Sequence, residues 1–190
     1  MIETEIIDNF LDRKEFETIC FNMGLMGGED SCFRFPWYWE DDIAYDPEDP
    51  QTQYHNDIIG GQLCHLFKHG LPYKKDSPHL DLLNPIMRVV NPLMIFRIKA
   101  NLQPRVSKTE RQITPWHRDV DIGNKLKDEI TTCIFYMNTN NGYTELKDGT
   151  KIESVENRFV KFSNSLFHRG TTCTDAKKRV LINFNLVLTN

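Results

Sequence analysis

The sequence predicts a mainly β domain that opens with helices and continues as antiparallel strands closing on one another. Three observations carry this. Apolar residues recur at helical spacing only in the first half, over 12–23 and 78–90. From residue 93 the pattern shifts to short segments of period two, separated by turns rich in Asn, Gly and Pro. The length, 190 residues, suits one domain with a substantial core. The division therefore puts a helical buttress mostly within 1–92 and a strand core mostly within 93–190 of a single domain.

Taken in order, 5–10 reads as a short strand. Asp12 then caps a helix reaching Met23, with Phe16, Ile19, Cys20 and Met23 on one face and Gly24, Gly27 and Gly28 behind it. The aromatic run 33–39 reads as an early strand. An acidic loop follows over 40–49, read as a solvated surface, with a lid attracting a cationic substrate as the sharper alternative. Residues 60–67 read as a strand and 69–72 as a turn. His55, His65, His69 and His79 are spread through this half and read as packing or surface residues. A second helix starts at 76–78 with Pro in its first turn, carries Leu80, Leu83, Ile86, Met87 and Val90, and stops at Asn91-Pro92.

In 94–102 Arg97, Lys99 and Asn101 share one face, and Phe96, Ile98, Ala100 and Leu102 the other. The polar face is either solvated or turned into a barrel that holds a polar ligand. Residues 103–105 read as a turn. Further strands are expected over 130–137, 142–146, 155–162 and 179–188, with Asp148-Gly149 as a hairpin turn.

Composition narrows the function. A net charge of -4 argues against a dedicated nucleic-acid binder, which needs a basic surface to neutralise phosphates. The cysteine count is five, an odd number without CxxC spacing, which points to free thiols in a reducing, cytoplasmic setting. No secretory leader opens the chain, and no apolar run reaches the ~18 residues that span a bilayer.

Residues 114–121, Thr-Pro-Trp-His-Arg-Asp-Val-Asp, hold the candidate chemistry. On an extended backbone the side chains of His117 and Asp119 point to one side. His168 follows in a strand-rich region. Two imidazoles and a carboxylate with open coordination positions form the facial triad of non-haem Fe(II) sites, leaving about three of six positions for an α-keto acid and dioxygen. The far carboxylate of such a co-substrate needs a fixed cation, and Arg179, at the start of the last apolar strand, is placed to serve. His117-Arg118-Asp119 also copies a kinase catalytic-loop triplet, but no Gly-rich loop or Asp-Phe-Gly accompanies it.

The order of His-x-Asp, Tyr-Met-Asn at 136–138, Gly-Tyr-Thr-Glu-Leu at 142–146, Asn-Arg-Phe-Val at 157–160, His-Arg-Gly at 168–170 and then Arg179 resembles the Fe(II)/2-oxoglutarate-dependent oxygenases. It looks most like the prolyl-hydroxylase-like and phytanoyl-hydroxylase-like branches, phage and marine bacterial members included. The resemblance runs from about residue 8 to the C-terminus, most firmly from Arg97. It implies a double-stranded β-helix (jelly-roll, cupin-like) core with helices against one sheet. It also implies His117, Asp119 and His168 as iron ligands and Arg179 as the residue that binds the far carboxylate of 2-oxoglutarate.

Two departures from the family pattern stand out. Asn101 falls where the prolyl-hydroxylase branch has Tyr, which implies that it contacts 2-oxoglutarate, and Leu181 where many relatives have Ser or Thr. Lys99 or Tyr136 is then expected to supply the second carboxylate contact, and Trp116 and Arg118 to face the primary substrate. The implied activity is hydroxylation of a C–H bond with conversion of 2-oxoglutarate and O2 to succinate and CO2, ascorbate serving as accessory reductant. Peptidyl proline, an amino acid or a small metabolite are the implied substrates. The alternatives are an oxidative demethylase of nucleic acid, a cupin enzyme without a keto acid, and a non-enzymatic jelly-roll module.

Overall fold

The computed structural model describes residues 3–28, 30–41, 61–70, 74–120 and 129–189. Its elements are β1 (Glu5–Ile7), α1 (Arg13–Asn22), α2 (Ser31–Arg34), β2 (Tyr38–Glu40), β3 (Gln62–His69), β4 (Lys75–Asp76), a 3-10 turn (Leu80–Leu83), α3 (Asn84–Val90), β5 (Met94–Pro104), β6 (Thr131–Tyr136), β7 (Tyr143–Leu146), β8 (Lys151–Glu153), β9 (Arg158–Ser163), β10 (His168–Gly170) and β11 (Lys178–Val187). Eight strands form a large sheet in the order β1-β9-β6-β11-β5-β3-β2, with β4 beside β3, and three form a small one, β10-β7-β8. Every pairing is antiparallel. This is the jelly-roll arrangement of two facing sheets.

Period-two alternation decides what each face of the large sheet meets. Ile98, Ala100 and Leu102 of β5 and Val180, Ile182 and Phe184 of β11 pack with Phe16, Ile19 and Cys20 of α1 and with Leu83 and Ile86. Each such apolar side chain contributes roughly 1.5–3 kcal/mol on burial. The opposite face meets the small sheet through Ile134, Tyr136, Leu146, Val160, Phe162 and Leu181. Helices thus cover one side and the small sheet the other, which leaves the polar half of β5 facing inward, between the sheets.

Several elements differ from the sequence expectation. The 33–39 strand is replaced by the short helix α2, and extended pairing begins only at Tyr38. The 76–90 helix is divided, because Pro85 sits in the first turn of α3 and its ring would clash with a carbonyl four residues earlier in a continuous helix. Asn91 then closes α3 in the left-handed conformation, φ 46°. The expected turn at 103–105 is still strand as far as Pro104, paired across from Lys178. The short strands β8 and β10 carried no clear alternation in the sequence. Most of the acidic loop 40–49, His55 and Asp121 lie outside the described residues. Cys20, Cys64, Cys133 and Cys173 are buried free thiols, and no helix among the described residues is long and apolar enough to cross a membrane.

Asn157 fastens the N-terminal segment to the strand core. Its Oδ1 accepts the Leu11 amide at 3.0 Å, its Nδ2 donates to the Leu11 carbonyl at 2.8 Å, and it holds φ 58°. Asn157→Ala should cost about 3 kcal/mol, from two buried hydrogen bonds and a left-handed backbone that Ala disfavours. Urea unfolding measures this, and a loss below about 1 kcal/mol would mean that the clamp is not structural.

His65 is a packing residue, as its sequence context suggested. Its ring contacts Phe35, Phe67 and His79, with Nδ1 2.9 Å from the Pro36 carbonyl and Nε2 2.8 Å from Ser77 Oγ. Burial pushes its pKa below the ordinary 6.5, against the pull of the Pro36 bond. Above 6.5 both folded and unfolded forms are neutral. As pH falls through 6.5 the unfolded chain takes up the proton first, so stability drops below that point. A His65→Asn variant should lose less stability between pH 7.5 and 5 than the wild type does, as read from urea midpoints. Equal losses would exclude His65 as a source of the acid sensitivity.

Candidate active site

The stretch around His117 is extended and edges the small sheet. His117 and His168 exchange both backbone hydrogen bonds at 3.0 Å, while the Thr114 amide donates to the Gly170 carbonyl at 2.9 Å. This pairing places the two imidazoles side by side, ring centroids 4.5 Å apart. Asp119, two residues on, points to the same side. One ligand atom from each of His117, Asp119 and His168 lies within 4.8 Å of the others. Trp116, just before His117 and opposite to it in alternation, packs against Arg169 and Lys147. Arg118, between the two ligands in sequence, stacks on Phe167 at 4.5 Å and lines the cavity beside them.

His117 and Asp119 are each oriented by neighbouring hydrogen-bonding groups. His117 Nδ1 lies 2.9 Å from the Pro115 carbonyl, which can only accept. In the neutral ring Nδ1 therefore carries the hydrogen, and Nε2 presents its lone pair. His168 directs Nε2 toward Asp119 Oδ2 at 3.8 Å. Asp119 Oδ1 accepts from Arg97 Nη2 at 2.9 Å and Asn183 Nδ2 at 3.3 Å, and Oδ2 accepts from Asn185 Nδ2 at 3.2 Å. Arg97 is itself held by Asn185 Oδ1 at 3.2 Å.

These partners set the charges. Burial alone would raise the Asp119 carboxyl, but the Arg97 guanidinium, helped by both imidazoles and the Asn185 amide, holds it at about 2. Burial, with His117 alongside, pushes His168 down to about 4 despite the nearby carboxylate. At neutral pH the cluster thus presents an ionised carboxylate and a neutral His168, the protonation states that divalent metal binding requires.

A cavity of about 310 Å³ opens beside the cluster, lined in part by Asn101, Gln103, Thr144 and Leu181, with Arg179 at its far end. Arg179 is 2% exposed. Its Nε donates to Ser154 Oγ at 2.8 Å, Nη2 to Thr144 Oγ1 at 3.0 Å and Nη1 to Gln103 Oε1 at 3.4 Å. No carboxylate among the described residues pairs with it. Glycines make room for it, since a Cβ on Gly142 would meet Arg179 Cδ at 2.8 Å and one on Gly170 would meet Nη1 at 3.2 Å. A buried guanidinium without a counter-ion is costly unless an anion joins it. Asn101 Oδ1, also lining the cavity, is buried without a partner. Donor set, tautomer and lone cation fit a metal ion with a bound keto-diacid.

The other expected contacts fall as follows. Lys99 lines the cavity. Tyr136 does not: it is packed between the sheets, with its hydroxyl donating to Thr144 Oγ1 at 2.8 Å and its ring 5.7 Å from the Arg179 guanidinium. Thr144, which accepts from both Tyr136 and Arg179, lines the cavity where Tyr136 was expected. Arg97, Asn183, Asn185, Thr144, Ser154 and Gln103 carried no assigned role in the sequence. A signal existed for the asparagines, as two polar residues at alternate positions of an otherwise apolar strand.

The fold and this cluster define a class, the jelly-roll proteins with a His-x-Asp…His constellation at the mouth between the sheets. Solved structures share the architecture. A prolyl hydroxylase from Trichoplax adhaerens, in complex with a hypoxia inducible factor peptide fragment, is 12% identical, with 97% of this chain and 83% of that one covered at a TM-score of 0.60. A 2OG-Fe(II) oxygenase family oxidoreductase from Burkholderia pseudomallei is 14% identical, with 98% and 88% covered at 0.60. SnoN, a non-heme alpha-ketoglutarate-dependent epimerase from nogalamycin biosynthesis, is 9% identical, with 96% and 76% covered at 0.58. No family model matches the chain, and no curated protein sequence does. At these identities the likeness establishes the shared fold.

Proposed function

We propose that this protein is an Fe(II)- and 2-oxoglutarate-dependent oxygenase that oxidises a C–H bond of a peptide or small molecule. One observation carries the reading: the His117, Asp119 and His168 donors converge at one end of a cavity whose other end holds Arg179, buried and without a carboxylate partner. A metal site alone would need no such cation, and an anion site alone would need no such cluster.

In this reading His117 and His168 bind iron through Nε2. Asp119 binds through Oδ2, since Oδ1 is taken up by Arg97 and Asn183. Bound iron with 2-oxoglutarate supplies dioxygen activation, with succinate and CO2 as co-products. The chain's own contribution is placement. Arg179, steadied by Ser154 and Thr144, receives the far carboxylate, and Thr114 and Gln103 offer neighbouring polar contacts. Asn101 lines the cavity along the way, and its side-chain amide offers an Nδ2 donor to the co-substrate. Ile134 and Leu181 keep the middle of the cavity apolar and limit water at the reacting centre. Arg97 keeps Asp119 ionised throughout. Peptidyl proline, a free amino acid and a small metabolite are the proposed substrate classes, in a cytoplasmic setting, with ascorbate as accessory reductant.

Anaerobic addition of Fe(II) and then 2-oxoglutarate tests the reading. A visible metal-to-ligand charge-transfer band that requires both is expected, followed by succinate release on admission of air. A protein that gives neither band nor succinate is a jelly-roll binding module instead.

A further inference from the structure

The cavity carries more positive charge than the proposed reaction uses. Among the described residues, the only carboxylate lining it is Asp119, already paired with Arg97. A divalent metal and a dianionic keto-diacid cancel in formal charge. Arg179, Lys99 and Arg118 are then in excess, and Arg118 is stacked on the Phe167 ring. Arg179 is accounted for by the far carboxylate of the co-substrate, but Lys99 is not.

Register separates the two cations. Arg179 lies across from Gln103, and Lys99 across from Asn183, one of the two amides on the Asp119 carboxylate. That is a separation of four residues along the strand, about 13 Å at ordinary strand rise. Lys99 therefore stands at the metal end of the cavity, and a keto-diacid that reaches Arg179 from the metal runs away from it. Nothing on the neighbouring strand neutralises it either. Cys64, whose thiol lies close to the ammonium, is pushed up by burial and stays protonated at neutral pH. Glu40 is exposed on β2, across from Gln62, and makes no ion pair with Lys99. Two residues along the same face, Arg97 spends Nε and Nη2 on Asn185 and Asp119, which leaves Nη1.

We propose that the primary substrate is an anion, and that its carboxylate or phosphate is gripped by Lys99 at the metal end of the cavity, with Arg97 Nη1 beside it. This rests on the oxygenase reading for what happens to the substrate once bound. The anchoring group sits next to the metal ligands, so the oxidised C–H bond lies within a few bonds of it. A neutral ester or amide of the same molecule leaves the ammonium unpaired in a partly dry site and binds more weakly.

The test uses the whole chain loaded with Zn(II) in place of iron and with saturating 2-oxoglutarate, observed by ¹⁵N NMR. Acetate and methyl phosphate are titrated into wild type, Lys99→Met and Lys99→Arg. At least one anion should bind wild type saturably, with a dissociation constant on the order of millimolar. Lys99→Met should weaken it by about tenfold or more, and Lys99→Arg should restore it to within about threefold. The tighter anion distinguishes a carboxylate from a phosphate substrate.

No saturable binding of either anion to wild type overturns the proposal, as does equal binding by Lys99→Met. Loss of 2-oxoglutarate binding in Lys99→Met would make Lys99 the co-substrate's anchor and overturn it as well. Failure of wild type to bind 2-oxoglutarate sinks the oxygenase reading separately. The same anion titrations, run on the Zn(II)-only protein, then decide the Lys99 site on their own.

Discussion

Substituting Met for Arg179 is expected to raise the 2-oxoglutarate concentration for half-maximal succinate release by about 100-fold, with most of the turnover regained at saturation. The size follows from what the side chain does. Removing one partner of a desolvated, hydrogen-bonded charge pair costs roughly 2–5 kcal/mol, and each tenfold is about 1.4 kcal/mol. The guanidinium is 2% exposed and fixed by Ser154, Thr144 and Gln103, so it is placed before the anion arrives. Met keeps much of the volume between Gly142 and Gly170 while deleting the charge. The effect should fall on co-substrate affinity because Arg179 stands at the end of the cavity opposite the His117–Asp119–His168 cluster. An unaltered 2-oxoglutarate requirement would show that the anchor lies elsewhere, with Lys99 the first candidate among the other lining cations.

Asp119→Ala should abolish metal-dependent turnover, lowering succinate release by at least about 1000-fold, and weaken metal binding by more than the 10–100-fold that loss of an outer partner typically costs. Two effects act together. One of three protein ligands is lost, and Arg97, whose charge Asp119 now balances at 2.9 Å, is left facing the metal position. The fold should survive, because the Arg97 side chain is 25% exposed and can be hydrated, and because Asp119 belongs to neither core cluster. Near-UV circular dichroism and the metal titration separate the outcomes: an unchanged spectrum with lost metal binding supports the assignment. Wild-type succinate release in Asp119→Ala would remove the carboxylate from the metal site.

How much of this could be read from the residues varies along the chain. The cap at Asp12, the strand alternation around Lys99 and the His-x-Asp pair are local patterns, set by backbone period and side-chain direction within a few residues, and they were legible. The break ahead of α3 was legible in principle, since Pro85 is in the sequence, but the apolar spacing of Leu80, Leu83 and Ile86 continues across it and masks the division. Strands β8 and β10 were not legible, since three residues are too few to establish a period. The partners of Arg179 were out of reach. Ser154 is 25 residues away, Thr144 is 35 and Gln103 is 76, and they meet only because β11 pairs with β5 while the small sheet folds over both. Tyr136 illustrates the converse. Leu181, standing where many relatives have Ser or Thr, made Tyr136 a candidate for the second carboxylate contact, but its hydroxyl is spent on Thr144 and it does not line the cavity.

The residues by themselves determined the chemistry on offer, two imidazoles, one carboxylate and one guanidinium, and the alternation that puts Arg97, Lys99 and Asn101 on one strand face. Tertiary structure decided that this face looks inward, because the helices' apolar stripe can bury only the other one. It also decided which charges cancel: Arg97 meets Asp119 across 22 residues, while Arg179 and Lys99 pair with no acid among the described residues. Coulomb pairing depends on distances of a few ångströms, which the order of residues along a chain does not fix.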